Sequence, residues 1–177
     1  GRLISIYNVK EGKPSNWQDV MSLPRKLSLG SNSHLKITPV EETHSLRLSK
    51  KELSGITVNP NQEILLNDIG GKSKEIEAKI NLATSREAGF YVLQSKDGTE
   101  KTKISLLRTS NTPYKWSEKD SLQIDVSEAS TDPNMYARTP EIGPVKLIND
   151  TILNLRIFID QSIIEVFANN EQCLTLR

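Results

Sequence analysis

Two carboxylates and an arginine near the end of the chain are the residues whose spacing could do chemistry. Arg156, Asp160 and Glu165 lie within residues 151–168, a run of β-branched and aromatic residues with a short polar break. A pair of carboxylates can serve a hydrolytic enzyme as general acid and base. The other possibility is structural, with Asp160 forming a turn and Glu165 pairing with Arg156. Whether the two carboxylates are catalytic or structural depends on how the secondary structure around them positions their side chains.

The alternation in residues 151–168 predicts a β-hairpin. A one-residue slip would turn every side chain to the opposite face, so the apolar pattern restricts the register. A two-residue loop at Asp160-Gln161 makes one face almost wholly apolar. The predicted pairs on that face are Ile159 with Ser162, Ile157 with Ile164, Leu155 with Val166, and Leu153 with Ala168.

The opposite face of this hairpin sets Arg156 across from Glu165. Such a cross-strand pair of opposite charges contributes roughly 0.2–1 kcal/mol. A three-residue loop would instead place Glu165 opposite Ile157. We therefore predict the two-residue loop, with Asp160 as the residue that adopts a positive φ. In this register Asp160 lies at the loop and Glu165 lies further along the second strand. Because the two carboxylates are not side by side, we predict structural roles for both.

The composition limits the kinds of partner. The chain has 177 residues, with 23 basic and 22 acidic side chains and a net charge of +1. This balance argues against a broad surface for nucleic acid or an anionic membrane. Cys173 is the single cysteine and is predicted to pack as a small hydrophobe. No stretch approaches the ~20 apolar residues of a membrane helix.

Short predicted strands at intervals of about ten residues, without a long helical period, indicate an all-β fold. We predict a two-sheet antiparallel β-sandwich. The clearest strand is residues 75–82, which alternate strictly between polar and apolar. Further strands are predicted at residues 3–7, 35–39, 45–48, 50–58, 90–93, 102–107 and 122–126, with a hairpin turn at 96–99.

Two segments depart from this regularity. Residues 17–29 contain Pro24, which disfavours an interior ladder position, so an extended connector is predicted. Residues 127–150 carry three prolines and few alternating apolar residues, and we predict a long surface crossing. The chain opens without methionine and stops within a strand-like run, so we expect it to be a piece of a longer protein.

Other residues with possible chemistry are few. His34 and His44 lie in a polar region without a nearby cysteine, so no metal or cofactor is predicted. Exposed aromatic rings often stack on sugars, and Trp116 and Tyr114 are the candidates for such a contact. The alternative for both rings is packing within their loop.

Three ordered stretches together resemble the C-terminal part of glycoside hydrolase family 32, which includes invertases, levanases and inulinases. The first is Trp17 followed by residues 21–27, and the last is residues 155–169. Between them, residues 39–42 with Leu46-Arg47 are similar to a third family element. The resemblance implies a β-propeller that carries the active site, followed by a β-sandwich. On this mapping, residues 1–29 are the last propeller strand and a connector, and residues 30–177 are the sandwich.

The resemblance does not bring catalytic residues with it. The family is retaining and uses a nucleophilic Asp and an acid/base Glu. Its motifs around these residues and a stabilising Asp are absent from this sequence. Asp132-Pro133-Asn134 shares three letters with the nucleophile motif but lacks the aromatic residue before it and the glycine after it. We therefore predict that the chain itself is not catalytic.

The sequence thus predicts a non-catalytic β-sandwich domain that supports the catalytic propeller of a fructan- or sucrose-cleaving hydrolase. Trp17 and the apolar residues around Pro24 are expected to anchor the connector, and Arg25 is expected to bridge the two domains rather than to touch substrate. An autonomous carbohydrate-binding module and an oligomerisation domain are the alternatives. The expected partner is the propeller, and the two alternatives add a fructan or other glycan and a second copy of the chain. The substrate class favours a secreted or periplasmic location.

Overall fold

The computed structural model describes residues 1–10, 19–31, 33–67, 69–109, 120–135 and 138–177. A 3₁₀ helix spans Glu41–Leu46 and is the only helix in this part of the chain. The strands are β1 Leu3–Ser5, β2 Asn8–Lys10, β3 Asp19–Met21, β4 Arg25–Leu29, β5 Leu35–Pro39, β6 Ser73–Asn81, β7 Glu87–Val92, β8 Thr102–Leu107, β9 Asp120–Asp125, β10 Glu141–Val145, β11 Ile152–Asp160, β12 Ile163–Ala168 and β13 Gln172–Leu176.

Two four-stranded antiparallel sheets form a β-sandwich, which confirms the predicted fold class. One sheet has the order β10-β9-β8-β7, and the other has the order β13-β12-β11-β6. Apolar side chains at alternate positions of the two sheets form a single buried core between them. The largest fully buried side chains are Leu82, Ile104, Leu106, Leu122, Ile124, Leu153, Ile157, Ile159 and Val166.

The N-terminal strands form a further layer on the outer face of the β13-β12-β11-β6 sheet. Strands β1, β4 and β5 make a three-stranded sheet, and β2 pairs with β3. Strand β5 contacts both β12 and β13. The backbone N–H of Ile37 also donates a 2.7 Å hydrogen bond to the carbonyl of Asn170 in the turn after β12. Because of this layer, β12 is buried on both faces along its whole length.

Several sequence predictions are confirmed. The strand predicted at 75–82 corresponds to β6, and those at 102–107 and 35–39 match β8 and β5 residue for residue. The strands at 90–93 and 122–126 match β7 and β9 to within a few residues. The predicted turn between β7 and β8 is present, and its Gly98 has a φ of +75°.

The predicted register of the hairpin is wrong by two residues. Phe158, not Arg156, lies opposite Glu165, and Arg156 lies opposite Phe167. The loop consists of Gln161 and Ser162, and Gln161 has the positive φ of 55° that was expected for Asp160. A shift of two residues preserves the faces, so the apolar face is the predicted one.

Strand β6 explains this register. It pairs with β11 along nine positions, and the last of these sets Asp160 opposite Ser73. The Ser73 hydroxyl donates a 3.0 Å hydrogen bond to the Asp160 carboxylate. Asp160 is therefore held in the ladder, and the chain turns one residue later than the hairpin sequence alone suggests.

The strand predicted at residues 45–48 is wrong, and residues 50–58 also form no strand. Local hydrogen bonds explain the first error. The Ser45 hydroxyl donates to the carbonyl of Glu42, and the Thr43 hydroxyl donates to the carbonyl of Val40, each at 2.7 Å. Short side chains that bond to nearby backbone compete with strand pairing and favour a turn of 3₁₀ helix.

Residues 127–150 include a strand, β10, where a surface crossing was predicted. Its Pro144 is tolerated because β10 is an edge strand of its sheet. Gly143 suits the close packing here, since a Cβ atom would lie 2.7–2.8 Å from the side-chain ends of Gln172 and Leu174, which would have to move. The prolines and the glycine are the reason that no strand was predicted in this segment.

Candidate functional site

The N-terminal layer is attached to the sandwich by a buried ion pair between Arg25 and Glu165. Nη2 of Arg25 lies 2.7 Å from Oε2 of Glu165, and their side chains are 9% and 3% exposed. The other carboxylate oxygen accepts a 2.5 Å hydrogen bond from the backbone N–H of Leu23. Arg25 also donates to the hydroxyl of Thr175 on β13. Strand β4 is thus bonded to both β12 and β13 through one guanidinium group.

Aromatic rings enclose this ion pair. The guanidinium carbon of Arg25 lies 4.7 Å from the ring centroid of Tyr7 and 5.8 Å from that of Phe167. Phe167 in turn makes an edge-to-face contact with Phe158, with the centroids 5.9 Å apart. Within the described residues, Nε of Arg25 is buried without a hydrogen-bond partner. The rings therefore exclude water from a charge that depends on Glu165 for compensation.

Cys173 lies beside this ion pair, opposite Phe167 in the ladder. Burial raises the pKa of its thiol to about 12, although the charge of Arg25 acts in the opposite direction. The thiol is therefore protonated at neutral pH and is unsuited to nucleophilic chemistry.

A second ion-pair network lies on the same face of the sheet but closer to its β6 edge. Arg47, after the 3₁₀ helix, contacts Glu75 at 2.7 Å and Glu77 at 2.5 Å. Arg156 contacts Glu75 at 2.5 Å from the other side. Burial alone would raise the pKa of Glu75, but hydrogen bonds and charge from the two arginines lower it overall.

Arg156, Asp160 and Glu165, which are close in the sequence, have different partners in the structure. Glu165 pairs with Arg25 and Arg156 pairs with Glu75, so the predicted Arg156–Glu165 pair is a wrong assignment. Asp160 lies at the exposed end of the sheet against Ser73. The two carboxylates have different partners, which supports the structural interpretation of both.

The remaining predicted residues have varied outcomes. Pro24 lies between β3 and β4, outside any ladder, and its carbonyl accepts a hydrogen bond from Val40. Trp17, Tyr114 and Trp116 lie outside the described residues, so their predicted roles stay predictions. In the Asp132-Pro133-Asn134 stretch, Asp132 accepts a 2.9 Å hydrogen bond from the N–H of Asn134 and forms a turn.

Sequence reasoning missed the role of Glu75 and Arg47 and the true partner of Glu165. The alternation of β6 places Glu75 and Glu77 on one face, which is a signal for a charged outer face. Nothing local connects Arg25 with Glu165, which are 140 residues apart. Among the described residues, no group of three His, Cys, Asp or Glu side chains is arranged to hold a metal ion. No helix in this part of the chain is long and apolar enough to cross a membrane.

The fold and these contacts define an all-β protein of the sandwich class, with an N-terminal strand layer held on one sheet by a buried ion pair. The chain belongs to glycoside hydrolase family 32, because residues 42–177 match the family described as "Glycosyl hydrolases family 32 C terminal". The resemblance noted in the sequence is thereby confirmed. The predicted domain boundary at residues 29 and 30 falls inside the hairpin of β4 and β5 and stays a prediction.

Individual relatives agree with this membership. The chain is 29% identical over 163 residues to a levanase of Bacillus subtilis, covering 88% of this chain and 22% of the levanase. It is 27% identical over 165 residues to a sucrose-6-phosphate hydrolase of Zymomonas mobilis, covering 93% of this chain and 29% of that protein. The chain therefore spans less than a third of the length of these curated relatives.

A solved structure shows the same fold. Fructan 1-exohydrolase IIa from Cichorium intybus superimposes with a TM-score of 0.77 and is 22% identical in sequence. The match covers 99% of this chain and 39% of the exohydrolase chain.

Proposed function

We propose that this chain is a non-catalytic domain that supports the catalytic propeller of a fructan- or sucrose-cleaving hydrolase. The observation that carries the proposal is the uneven distribution of exposed apolar side chains. Of the large apolar residues exposed in the described part of the chain, fourteen lie in residues 3–65 and four lie in residues 91–148. Concentrated exposed apolar area indicates a surface that another protein part covers.

The exposed residues on this surface belong to the N-terminal layer and the segment that follows it. Met21 is 61% exposed, Leu29 is 74% exposed, and Leu48 after the 3₁₀ helix is 98% exposed. The sandwich strands instead turn their apolar side chains into the core. A preceding domain that packs on residues 3–65 would bury this surface. The proposed substrate class comes from two relatives of the chain, a levanase and a sucrose-6-phosphate hydrolase.

In this proposal Arg25 fixes the covered layer to the sandwich. Its bonds to β12 and β13 hold β4 at one orientation, so a domain that packs on β4 is held at the same orientation. The sandwich would act as a rigid support, and substrate would be bound and cleaved on the preceding domain.

Two measurements test the proposal. The purified chain should release no fructose from sucrose, levan or inulin, and clear turnover by the chain alone would refute the non-catalytic assignment. In the longer gene product that the proposal requires, Leu29→Glu should lower the temperature at which activity is lost, because it places a charge in the contact. The matched control is Ile142→Glu, at a side chain that is 60% exposed on β10. Equal effects of the two substitutions would contradict docking on the N-terminal layer.

A further inference from the structure

A depression of about 410 Å³ lies on the outer face of the β13-β12-β11-β6 sheet, beside the N-terminal layer, and its lining combines the apolar side chains of Ala78, Leu155 and Phe167 with polar groups. Strands β6 and β11 contribute Lys79 and Asn154, which are direct partners across the ladder. Asn170 lies in the turn between β12 and β13, and Glu77 and Arg156 complete the polar lining. None of these groups takes part in the Arg25–Glu165 pair.

Three of the lining side chains are available to a ligand. They are the side-chain amides of Asn154 and Asn170 and the ammonium group of Lys79. Within the described residues, these three groups make no hydrogen bond or ion pair, and all three residues are exposed. Their neighbour Asn169 differs, because its amide is occupied. Its oxygen accepts the N–H of Asn154 at 2.8 Å, and its nitrogen donates to the carbonyl of Lys146 at 2.7 Å.

The backbone around the available groups is fixed. The carbonyl of Asn170 accepts the hydrogen bond from Ile37, and the N–H of Asn169 donates to the carbonyl of Asn154 at 2.9 Å. Asn154 and Lys79 lie in the interior of a nine-position ladder. The fixed backbone means that no loop has to become ordered on binding, so the cost is confined to the rotamer freedom of the exposed side chains.

The chemistry of the lining selects among ligand classes. An anion such as phosphate would meet Lys79 and Arg156, but Arg156 is already paired with Glu75 and the carboxylate of Glu77 repels negative charge. An apolar ligand would leave two amides and an ammonium group without partners. Hydroxyl groups both donate and accept, so neighbouring sugar hydroxyls can satisfy two amides, an ammonium group and the free oxygen of Glu77 together.

We propose that this depression binds a neutral, hydroxyl-rich oligosaccharide through Lys79, Asn154 and Asn170. The ligand class is a fructan where the proposed function holds, and this part of the assignment rests on that function. The site is a contact for a glycan chain at a distance from any reacting bond, since nothing in its lining is arranged as a pair of catalytic carboxylates.

The test uses backbone NMR spectra of the chain titrated with levan-derived and inulin-derived oligosaccharides. Cello-oligosaccharides and inorganic phosphate form two further arms. We expect saturable shifts at the amides around Lys79, Asn154 and Asn170 with the fructo-oligosaccharides. Binding by cello-oligosaccharides as well would support the hydroxyl-rich site and make it general to glycans. Binding of phosphate without any oligosaccharide would overturn the proposal.

Two variants assign the binding to these residues. Asn170→Gly removes an amide while tolerating the φ of 58°, and Asn61→Gly is its matched control because Asn61 is exposed and has the same φ. Asn154→Asp places a carboxylate opposite Lys79 and so occupies both groups. Each of the two site variants should weaken binding about tenfold, the effect of losing one hydrogen bond of ~1.4 kcal/mol, and Asn61→Gly should bind as the parent does.

The absence of saturable shifts with every oligosaccharide would sink the proposal, as would unchanged affinity in both site variants. Neither result would affect the proposed supporting role, which is tested by turnover and by the Leu29→Glu substitution. Conversely, turnover by the chain alone would refute the supporting role and leave the binding measurements standing.

Discussion

Two ion-pair networks lie on the outer face of the same sheet and differ in how much water reaches them. The side chains of Arg25 and Glu165 are 9% and 3% exposed beneath the N-terminal layer. In the network at the β6 edge, Arg47 is 42% exposed and Glu77 is 55% exposed, with Glu75 at 13% between them. The same chemical groups are therefore present in a covered half and an open half of one face.

The comparison indicates that burial, more than the identity of the charged groups, sets how much an ion pair affects the stability of the fold. A buried pair is strongly destabilising when one partner is removed, because the remaining charge has no compensation. An exposed pair is weakened by water and salt and contributes little. We thus expect the covered half to decide whether the N-terminal layer stays docked, and the open half to modulate stability.

The largest expected effect concerns Cys173 in the covered half. A thiol with a pKa of about 12 should react with a disulfide reagent at pH 8 at least about a hundred-fold more slowly than the same thiol in urea, where its pKa is near 8.5, because little of it is thiolate and the N-terminal layer covers it. It is the single cysteine of the chain, so one absorbance trace reports it. Equal rates in buffer and in urea would show that this half of the face is open.

The second prediction breaks the ion pair of the covered half. Glu165→Ala should lower the free energy of unfolding by about 3–5 kcal/mol, because it leaves the Arg25 charge buried without a partner. Urea unfolding of the chain measures this loss, and labelling of Cys173 should become faster in the same variant. The control Glu171→Ala, in the exposed turn after β12, should change stability by less than about 0.5 kcal/mol.

A double variant separates charge from shape at this position. Arg25→Met combined with Glu165→Leu removes both charges and should be less destabilised than Glu165→Ala alone. A double variant that is as unstable as the sum of its single variants would mean that the hydrogen bonds to Leu23 and Thr175 matter more than the charge.

The third prediction addresses the open half. Glu75→Gln should lower the free energy of unfolding by about 1–2 kcal/mol, since Glu75 accepts charged hydrogen bonds from two arginines that are partly exposed. Glu77→Gln, at the more exposed carboxylate, should cost about 0–1 kcal/mol, and less at high salt. A larger effect for Glu77 than for Glu75 would contradict the ordering by burial.

The pH dependence of stability gives an independent measure of Glu75. Its pKa is lowered in the folded chain, so its contribution is fully present above the ordinary carboxyl pKa of 4.5. The contribution is lost as the pH falls from there through the folded pKa. Unfolding measured between neutral and acidic pH should therefore show a smaller loss of stability in Glu75→Gln than in the parent.

Local patterns were sufficient for much of the sandwich. Residues 75–82 alternate strictly, and their strand β6 is found where predicted. The apolar face of the hairpin was also predicted, because a strand with one buried face must repeat every two residues. Strand β10 was not predicted, because Gly143 and Pro144 disfavour a strand in general. They are tolerated here because β10 is an edge strand next to β9 and packs closely on β13, and the local sequence does not reveal either neighbour.

Pairings between distant segments could not be derived in the same way. The hairpin register depends on Asp160 being held against Ser73, which is 87 residues earlier. The partner of Glu165 depends on the N-terminal layer covering β12, and nothing in the hairpin reveals that layer. The sequence therefore assigned Glu165 and Arg156 to each other, whereas the fold gives them Arg25 and Glu75 as partners.

The sequence by itself determined the all-β class, the family resemblance and which faces of the strands are apolar, because these follow from side-chain periodicity and local motifs. Only the tertiary structure decided that Glu165 binds Arg25, that Arg156 binds Glu75, and that Asn154, Asn170 and Lys79 surround one depression. The physical reason is that charges and hydrogen-bonding groups pair through space with whatever the fold brings near, and burial then sets the strength of each pair.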